Sequence, residues 1–290
     1  MSLAPELSRI DAHLHLWDLG VSDYAWLAPE MGVLYASWSP EQAAGELERA
    51  GMRGAVLVQA EDSRVDTQYL LDVAAKHAWA LGVVGWVQLD DPDAAGRDLD
   101  RWLQNPAFCG VRHLINDDPR ADFLDLPTVR ASLRDLARRG LPFDLHDAWP
   151  RHLKRAEPLA RALPELTVVI DHLGKPPRGR EDFDGWRAGL ASVAAHPNVV
   201  AKLSGLHSPD APFTVEALRP AWDAALENFG VARLMYGGDW PVTVPTGGYQ
   251  STWQVLSALI GELSAAEQAQ ILSITASRVY RLDRLDRLDR

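Results

Sequence analysis

The chain has 290 residues, 47% hydrophobic and 24% charged, with a formal net charge of −11 and a single cysteine, Cys109. That length can bury a core without staples. One cysteine excludes a disulfide framework, and the acidic balance lacks the basic face that nucleic acids or anionic membranes require. No apolar stretch approaches the ~20 residues of a membrane span, and the opening MSLAPELSR has neither the basic start nor the apolar run of a signal peptide. A cytoplasmic protein with a small-molecule ligand is the expectation.

In chain order, eight short runs rich in Val, Ile and Leu read as strands buried on both faces: 9–17, 54–60, 81–89, 109–114, 141–146, 166–172, 198–204 and 233–239. Helical segments lie between them. The first opens on Ser39-Pro40-Glu41-Gln42, a serine cap with proline in the first turn and Gln42 placed to close a capping box, and runs to Gly51. Segments 66–77, 93–104, 127–139, 150–163, 182–196 and 214–229 follow, several ending at Gly or Pro. Two further helices, 250–260 and 264–279, close the chain, the second capped by Ser264 with Glu267. Eight βα repeats without a break in composition predict a single α/β domain over 1–280, a (β/α)8 TIM barrel. An open doubly wound sheet is the alternative, disfavoured because no glycine-rich phosphate loop follows the first strand. The long loop 18–37 falls on the active-site side and reads as a lid or a packed loop. The repeat RLDRLDRLDR (281–290) reads as a solvated tail without chemistry.

Active sites of such barrels lie at the C-terminal ends of the strands. Those ends carry His13 and His15, then Gln59 and Glu61, Gln88, Arg112 and His113, His146, Asp171 and His172, Lys202 and Ser204, and Asp239. Polar groups ending strands that are apolar a few residues earlier are costly unless they share a site. Alternation along the first strand puts His13 and His15 on one side and Ala12, Leu14 and Leu16 on the other, packed outward. His13, His15, His172 and Asp239, with His146 as a further candidate, form a normal ligand set for one divalent ion, zinc foremost. Such an ion would activate water and polarise a carbonyl, with Asp239 as general base. Without a metal, Asp239 could still deprotonate water while the histidines hold the carbonyl, and the residues do not choose between these. Arg112 could grip a carboxylate or a carbonyl oxygen. Gln59, Glu61, His146, Trp17 and Trp240 are further substrate-contact candidates, the tryptophans as walls of a pocket. Cys109 reads as a small buried thiol, His113, His196 and His207 as surface or capping residues, and Asp171 as facing away from His172 in a structural role.

These residues also carry a resemblance. Asp11-Ala12-His13-Leu14-His15-Leu16-Trp17, Gly110-Val111-Arg112, Asp171-His172-Leu173-Gly174-Lys175-Pro176 and Tyr236-Gly237-Gly238-Asp239-Trp240-Pro241 resemble the amidohydrolase superfamily, in its amidohydrolase-2 branch. That branch contains L-fucono- and L-rhamnono-lactonases and a 2-pyrone-4,6-dicarboxylate lactonase. The resemblance implies a distorted (β/α)8 barrel, the aspartate matching Asp239 as base toward the hydrolytic water, and Arg112 contacting substrate. The bridging lysine or glutamate of binuclear members has no counterpart, since Arg112 stands at the strand-four position, which implies one metal ion or none. Opening of a sugar lactone is the leading expectation. Metal-dependent, non-oxidative decarboxylation of an aromatic or muconate-type acid is the alternative, with His146 as a ligand, and a sugar-acid sensor without turnover is a third reading.

Overall fold

The computed structural model describes residues 8–116, 118–146 and 149–282. Most of the 281–290 tail, and most of the opening segment, lie outside the described residues. Eight parallel strands pair strictly in chain order: β1 (Ile10–Leu14), β2 (Gly54–Val58), β3 (Ala80–Gly85), β4 (Phe108–His113), β5 (Phe143–Leu145), β6 (Val168–Ile170), β7 (Val199–Leu203) and β8 (Leu234–Tyr236). Helices α1 (Pro40–Arg49), α2 (Arg64–Ala74), α3 (Pro92–Trp102), α4 (Pro127–Arg139), α5 (Leu153–Ala162), α6 (Phe183–Ala194), α7 (Val215–Phe229) and α8 (Gly248–Ile260) alternate with them. The ring closes where Leu14 bridges Trp240, with the His15 amide donating to the Trp240 carbonyl at 2.7 Å. Buried Asp11 locks this seam, its Oδ1 accepting from the amides of His13 (2.8 Å) and Gly238 (2.9 Å). The expected (β/α)8 barrel is the fold. No helix among the described residues is long and apolar enough to cross a membrane.

Helix starts follow the local chemistry. Ser39 and Ser264 both form complete capping boxes, with Gln42 and Glu267 reaching back. The expected last helix is a run of three pieces: α9 (Ala265–Ala269), a π-helical stretch (Gln270–Ile274) and α10 (Thr275–Tyr280). That run sends Ala276, Val279 and Tyr280, with Leu282 just beyond it, into the barrel interior, against Ile10, Val56, Val84, Val169, Val200 and Met235. The larger apolar layer lies outside the strands, beneath the helices, and includes Leu14, Leu57, Phe143 and Leu203.

The β1–β2, β2–β3 and β3–β4 pairings each carry a register irregularity, and the one in β1 bears on the site. Asp11 pairs with Ala55 and Leu14 with Leu57, so Ala12 and His13 together oppose the single residue Val56. This bulge changes the phase of β1. Ala12 therefore joins Ile10 in the interior, against the expectation that it faces outward with Leu14 and Leu16, which do pack under the helices.

Candidate active site

The bulge turns His13 inward beside His15, and their Nε2 atoms lie 3.0 Å apart. His15 Nδ1 is anchored on the Val58 carbonyl at 2.7 Å. Across the seam, the Gly237-Gly238-Asp239 turn brings Asp239 to the same point: Oδ1 is 3.5 Å from His15 Nε2 and 3.7 Å from His13 Nε2. Asp239 adopts a φ of 52°, held there by its amide donating to the His13 carbonyl at 2.8 Å.

His172 arrives by a different device. The ladder of β6 stops at Ile170, and His172, Leu173, Gly174 and Lys175 all take positive φ, a left-handed turn that L-residues adopt at a cost of roughly 1–2 kcal/mol each. Surrounding contacts hold it: Trp186 Nε1 donates to the Leu173 carbonyl at 2.8 Å, and the Trp149 amide to that of Gly174 at 3.1 Å. His172 ends with its ring centroid 4.6 Å from that of His13 and its Nδ1 2.9 Å from Ser204 Oγ. Val168 and Ile170 pack outside the barrel and Val169 inside, so alternation carries Asp171 inward and the turn adds His172 to the same side. Asp171 Oδ1 lies 3.3 Å from His13 Nδ1 and 3.2 Å from Lys202 Nζ, so the expectation that Asp171 faces away from the site, drawn by alternation from His172, does not hold.

Arg112, 3% exposed, is braced from below: Nη2 donates to the Gln59 carbonyl at 2.5 Å, and Nη1 lies 3.5 Å from Asp171 Oδ2. The Gln59 side chain donates to Asp62 and to the Arg112 carbonyl. Gln59 thus supports Arg112 and does not line the cavity. Glu61, which accepts from Ser22, and Trp240, packed edge-on against Trp38, also stand outside it. His113 is buried, not a surface residue: it stacks on Phe123 and receives Trp86 Nε1 at 3.1 Å. His207, half-buried, stacks on Phe213. Loop 18–37 is packed, with Tyr24 donating to Asp66 and Trp26 to the Ala60 carbonyl.

A cavity of about 220 Å³ opens above these groups, walled by Trp17, Trp26, Arg112, His146 and Lys175, with His15, His172 and Asp239 at its base. That volume falls below the roughly 300–1,000 Å³ of drug-sized pockets and suits a ligand of monosaccharide scale. A wider groove of about 1,000 Å³ lies at the other end of the barrel, where β3 and β4 begin, but no catalytic group converges there. Asn116, which lines the cavity, and Asp144, which lies below it on Lys202, carry no expectation from the sequence, and Lys175, also in the lining, enters there only as part of the family motif. Asp144 was within reach, because Asp144 and His146 repeat the i, i+2 spacing of His13 and His15.

Burial, reinforced by Lys202, holds His13 well below the usual histidine range. Burial lowers His15 as well, against the pull of Asp239. It brings His172 to about 4, again opposed by Asp239. His146 is pushed down by burial and by Arg112. Burial would raise Asp239, but the surrounding imidazoles, His172 foremost, outweigh it and keep this carboxylate well below its ordinary range. The base of the cavity is thus an ionised carboxylate among neutral imidazoles. Ligand atoms of His13, His15 and Asp239, and of His13, Asp171 and His172, all lie within 4.8 Å of one another in buried groups. With His15 Nδ1 tied to a carbonyl and its Nε2 turned to Asp239, this donor chemistry fits a divalent ion.

Fold and site together define a barrel hydrolase of the histidine–aspartate type. The amidohydrolase family profile matches residues 10–282, and the chain belongs to that family. It is 36% identical to an L-fucono-1,5-lactonase of Burkholderia ambifaria over 81% of each chain. An L-fucono-1,5-lactonase of Burkholderia multivorans is 32% identical over 94% of this chain and 95% of its own. The crystal structure of a B. multivorans amidohydrolase with bound zinc superposes with a TM-score of 0.86 at 31% identity, covering 94% of this chain and 99% of that one.

Proposed function

We propose that this chain opens a sugar lactone of the aldono type, such as L-fucono-1,5-lactone, to its hydroxy acid. The observation that carries this reading is the ionised Asp239 carboxylate set among His13, His15 and His172 at the base of a cavity of monosaccharide size. Asp239 takes a proton from water as its oxygen adds to the lactone carbonyl. The negative charge that develops on the carbonyl oxygen is met by the imidazoles and by Arg112, in a site that excludes most solvent. Collapse of the tetrahedral adduct breaks the ring C–O bond, and the proton held by Asp239 passes to the departing alkoxide. Trp17 and Trp26 offer flat apolar faces to the sugar ring, and Lys175 and His146 offer donors to its hydroxyls. A divalent ion bound by His13, His15 and Asp239, with His172 alongside, would polarise the carbonyl and lower the pKa of a bound water. The acidic balance and a single buried cysteine support action on a small molecule in the cytoplasm.

Purified protein offered a panel of aldonolactones and aromatic acids tests the reading. Acid release from a lactone is expected, and carbon dioxide evolution without lactone turnover would overturn it. Asp239→Asn is expected to cut kcat by about 10²–10⁴-fold while binding is retained.

A further inference from the structure

Beneath the cavity lies a buried polar layer that the hydrolytic steps do not touch. Lys202 on β7, Asp144 on β5 and Asp171 after β6 are all 0% exposed. Lys202 Nζ is 2.6 Å from Asp144 Oδ2, 3.0 Å from His13 Nδ1 and 3.2 Å from Asp171 Oδ1. Tyr280, reaching up from α10, donates its hydroxyl to the same Asp144 Oδ2 at 2.8 Å. An ammonium has three donors and no acceptor, and burying one without partners is costly. Three acceptors surround Lys202, but the count closes only if His13 Nδ1 carries no proton.

The other side of the ring gives the same answer independently. The Val58 carbonyl can only accept, so His15 Nδ1 carries a proton and neutral His15 presents a lone pair at Nε2. His13 Nε2, 3.0 Å away, must then be the donor. Two carboxylate oxygens face the bare nitrogens at longer range, Asp171 Oδ1 at 3.3 Å from His13 Nδ1 and Asp239 Oδ1 at 3.5 Å from His15 Nε2. One donor also runs against this: Arg112 Nη1 lies 3.4 Å from His13 Nε2. It is longer than either of the contacts that fix the tautomer, and the same nitrogen has Asp171 Oδ2 at 3.5 Å as an acceptor.

We propose that Lys202, clamped by Asp144 and Tyr280, is a positioning residue that fixes His13 as the Nε2–H tautomer. His13 then presents a proton to the site and can donate to an oxyanion. To ligate a metal through Nε2, His13 must give up that proton or move it to Nδ1 toward Asp171, the carboxylate arrangement usual for metal-bound histidines, and so break its bond to Lys202. Lys202 thereby limits how tightly His13, His15 and Asp239 hold a divalent ion. This assignment rests on the chain's own hydrogen bonds and is independent of lactone as the substrate.

Imidazole ¹⁵N NMR of the full-length, metal-free protein tests it, with the His13 signals assigned by their loss in His13→Gln. The expected spectrum shows His13 protonated at Nε2, with the pattern reversed in Lys202→Met. Zinc, titrated in competition with a chromophoric chelator, is expected to bind Lys202→Met about tenfold tighter than the parent. Tyr280→Phe, which only loosens the clamp, is expected to fall between them, and it decides the matter with the parent spectrum if Lys202→Met does not fold. A parent His13 protonated at Nδ1, or zinc affinity that neither variant raises, would overturn the proposal. Failure to turn over lactones would leave the spectrum unchanged, so the two readings fail separately.

Discussion

Gly205 shows how little room the catalytic groups leave. It follows Ser204 with a φ of +55°, and a Cβ built there would collide with the His172 ring and sit 2.7 Å from Asp239 Oδ2. Both the backbone angle and the space demand glycine. Gly205→Ala must displace His172 or Asp239, and misplacement of a reacting group by about 1 Å can cost ~10²-fold in rate. A fall in kcat of about that size is expected, with KM little changed, because the tryptophan walls and Lys175 remain in place. Steady-state kinetics on the preferred lactone check this; an unchanged kcat would show that the His172–Asp239 geometry is not critical. Arg112→Lys is expected to behave differently. Lysine cannot reproduce the fork that touches the Gln59 carbonyl and Asp171 together. Losing it should raise KM as well as lower kcat, and a change confined to kcat would argue against substrate contact by Arg112.

Among the elements, α2 and the loop after β1 are joined through a buried acid. Asp66 accepts from Tyr24 Oη at 3.0 Å and from the Ala60 amide at 2.9 Å, and burial raises it to about 7. In the unfolded chain it ionises near 3.8, so between these values the folded state binds more protons. Stability therefore falls as pH rises through that window, by about 4 kcal/mol once both states are ionised. Asp66→Asn abolishes this contribution, so the variant should gain on the parent from pH 4.5 to 8 in urea unfolding; parallel curves would show that Asp66 is ionised throughout. The elements themselves were legible in the sequence. Parallel strands covered on both faces read as apolar runs, and helices announce themselves by caps such as Ser39 and Ser264. The strand ends were not. Ladders stop at Ile170 and Tyr236, before the polar residues that matter, and the positive φ of His172, Leu173 and Asp239 is imposed by tertiary contacts that leave no local signature. For the same reason period-two reasoning gave the right inward direction for His13 and His15 but the wrong one for Ala12, which lies in a bulge, and for Asp171, which keeps the interior phase of Val169 while the turn takes His172, the residue it was counted from, out of phase.

At the scale of the whole molecule, the barrel is plugged from below by its own C-terminal run. The apolar interior layer of Val56, Val84, Val169, Val200 and Met235 does not close on itself; Ala276, Val279 and Tyr280 complete it. Tyr280 is 2% exposed and joins the two layers, its ring in the apolar one and its hydroxyl on Asp144 above. The final helix is thereby coupled to the support of the active site through one side chain. Tyr280→Ala opens a cavity at the barrel axis and removes a partner of a buried carboxylate, so a loss of about 3–5 kcal/mol is expected. At roughly 2–4 °C per kcal/mol for chains of this class, Tm should fall by about 6–20 °C. Tyr280→Phe keeps the volume and loses only the bond to a charged acceptor, about 1.5–3 kcal/mol. Calorimetry separates the two variants. If the plug is part of the barrel core, each unfolds in a single transition and the alanine variant unfolds at the lower temperature. If Tyr280→Ala instead gave a separate early transition with the main one unmoved, the C-terminal run would be an appendage and the coupling from α10 to Asp144 would not hold.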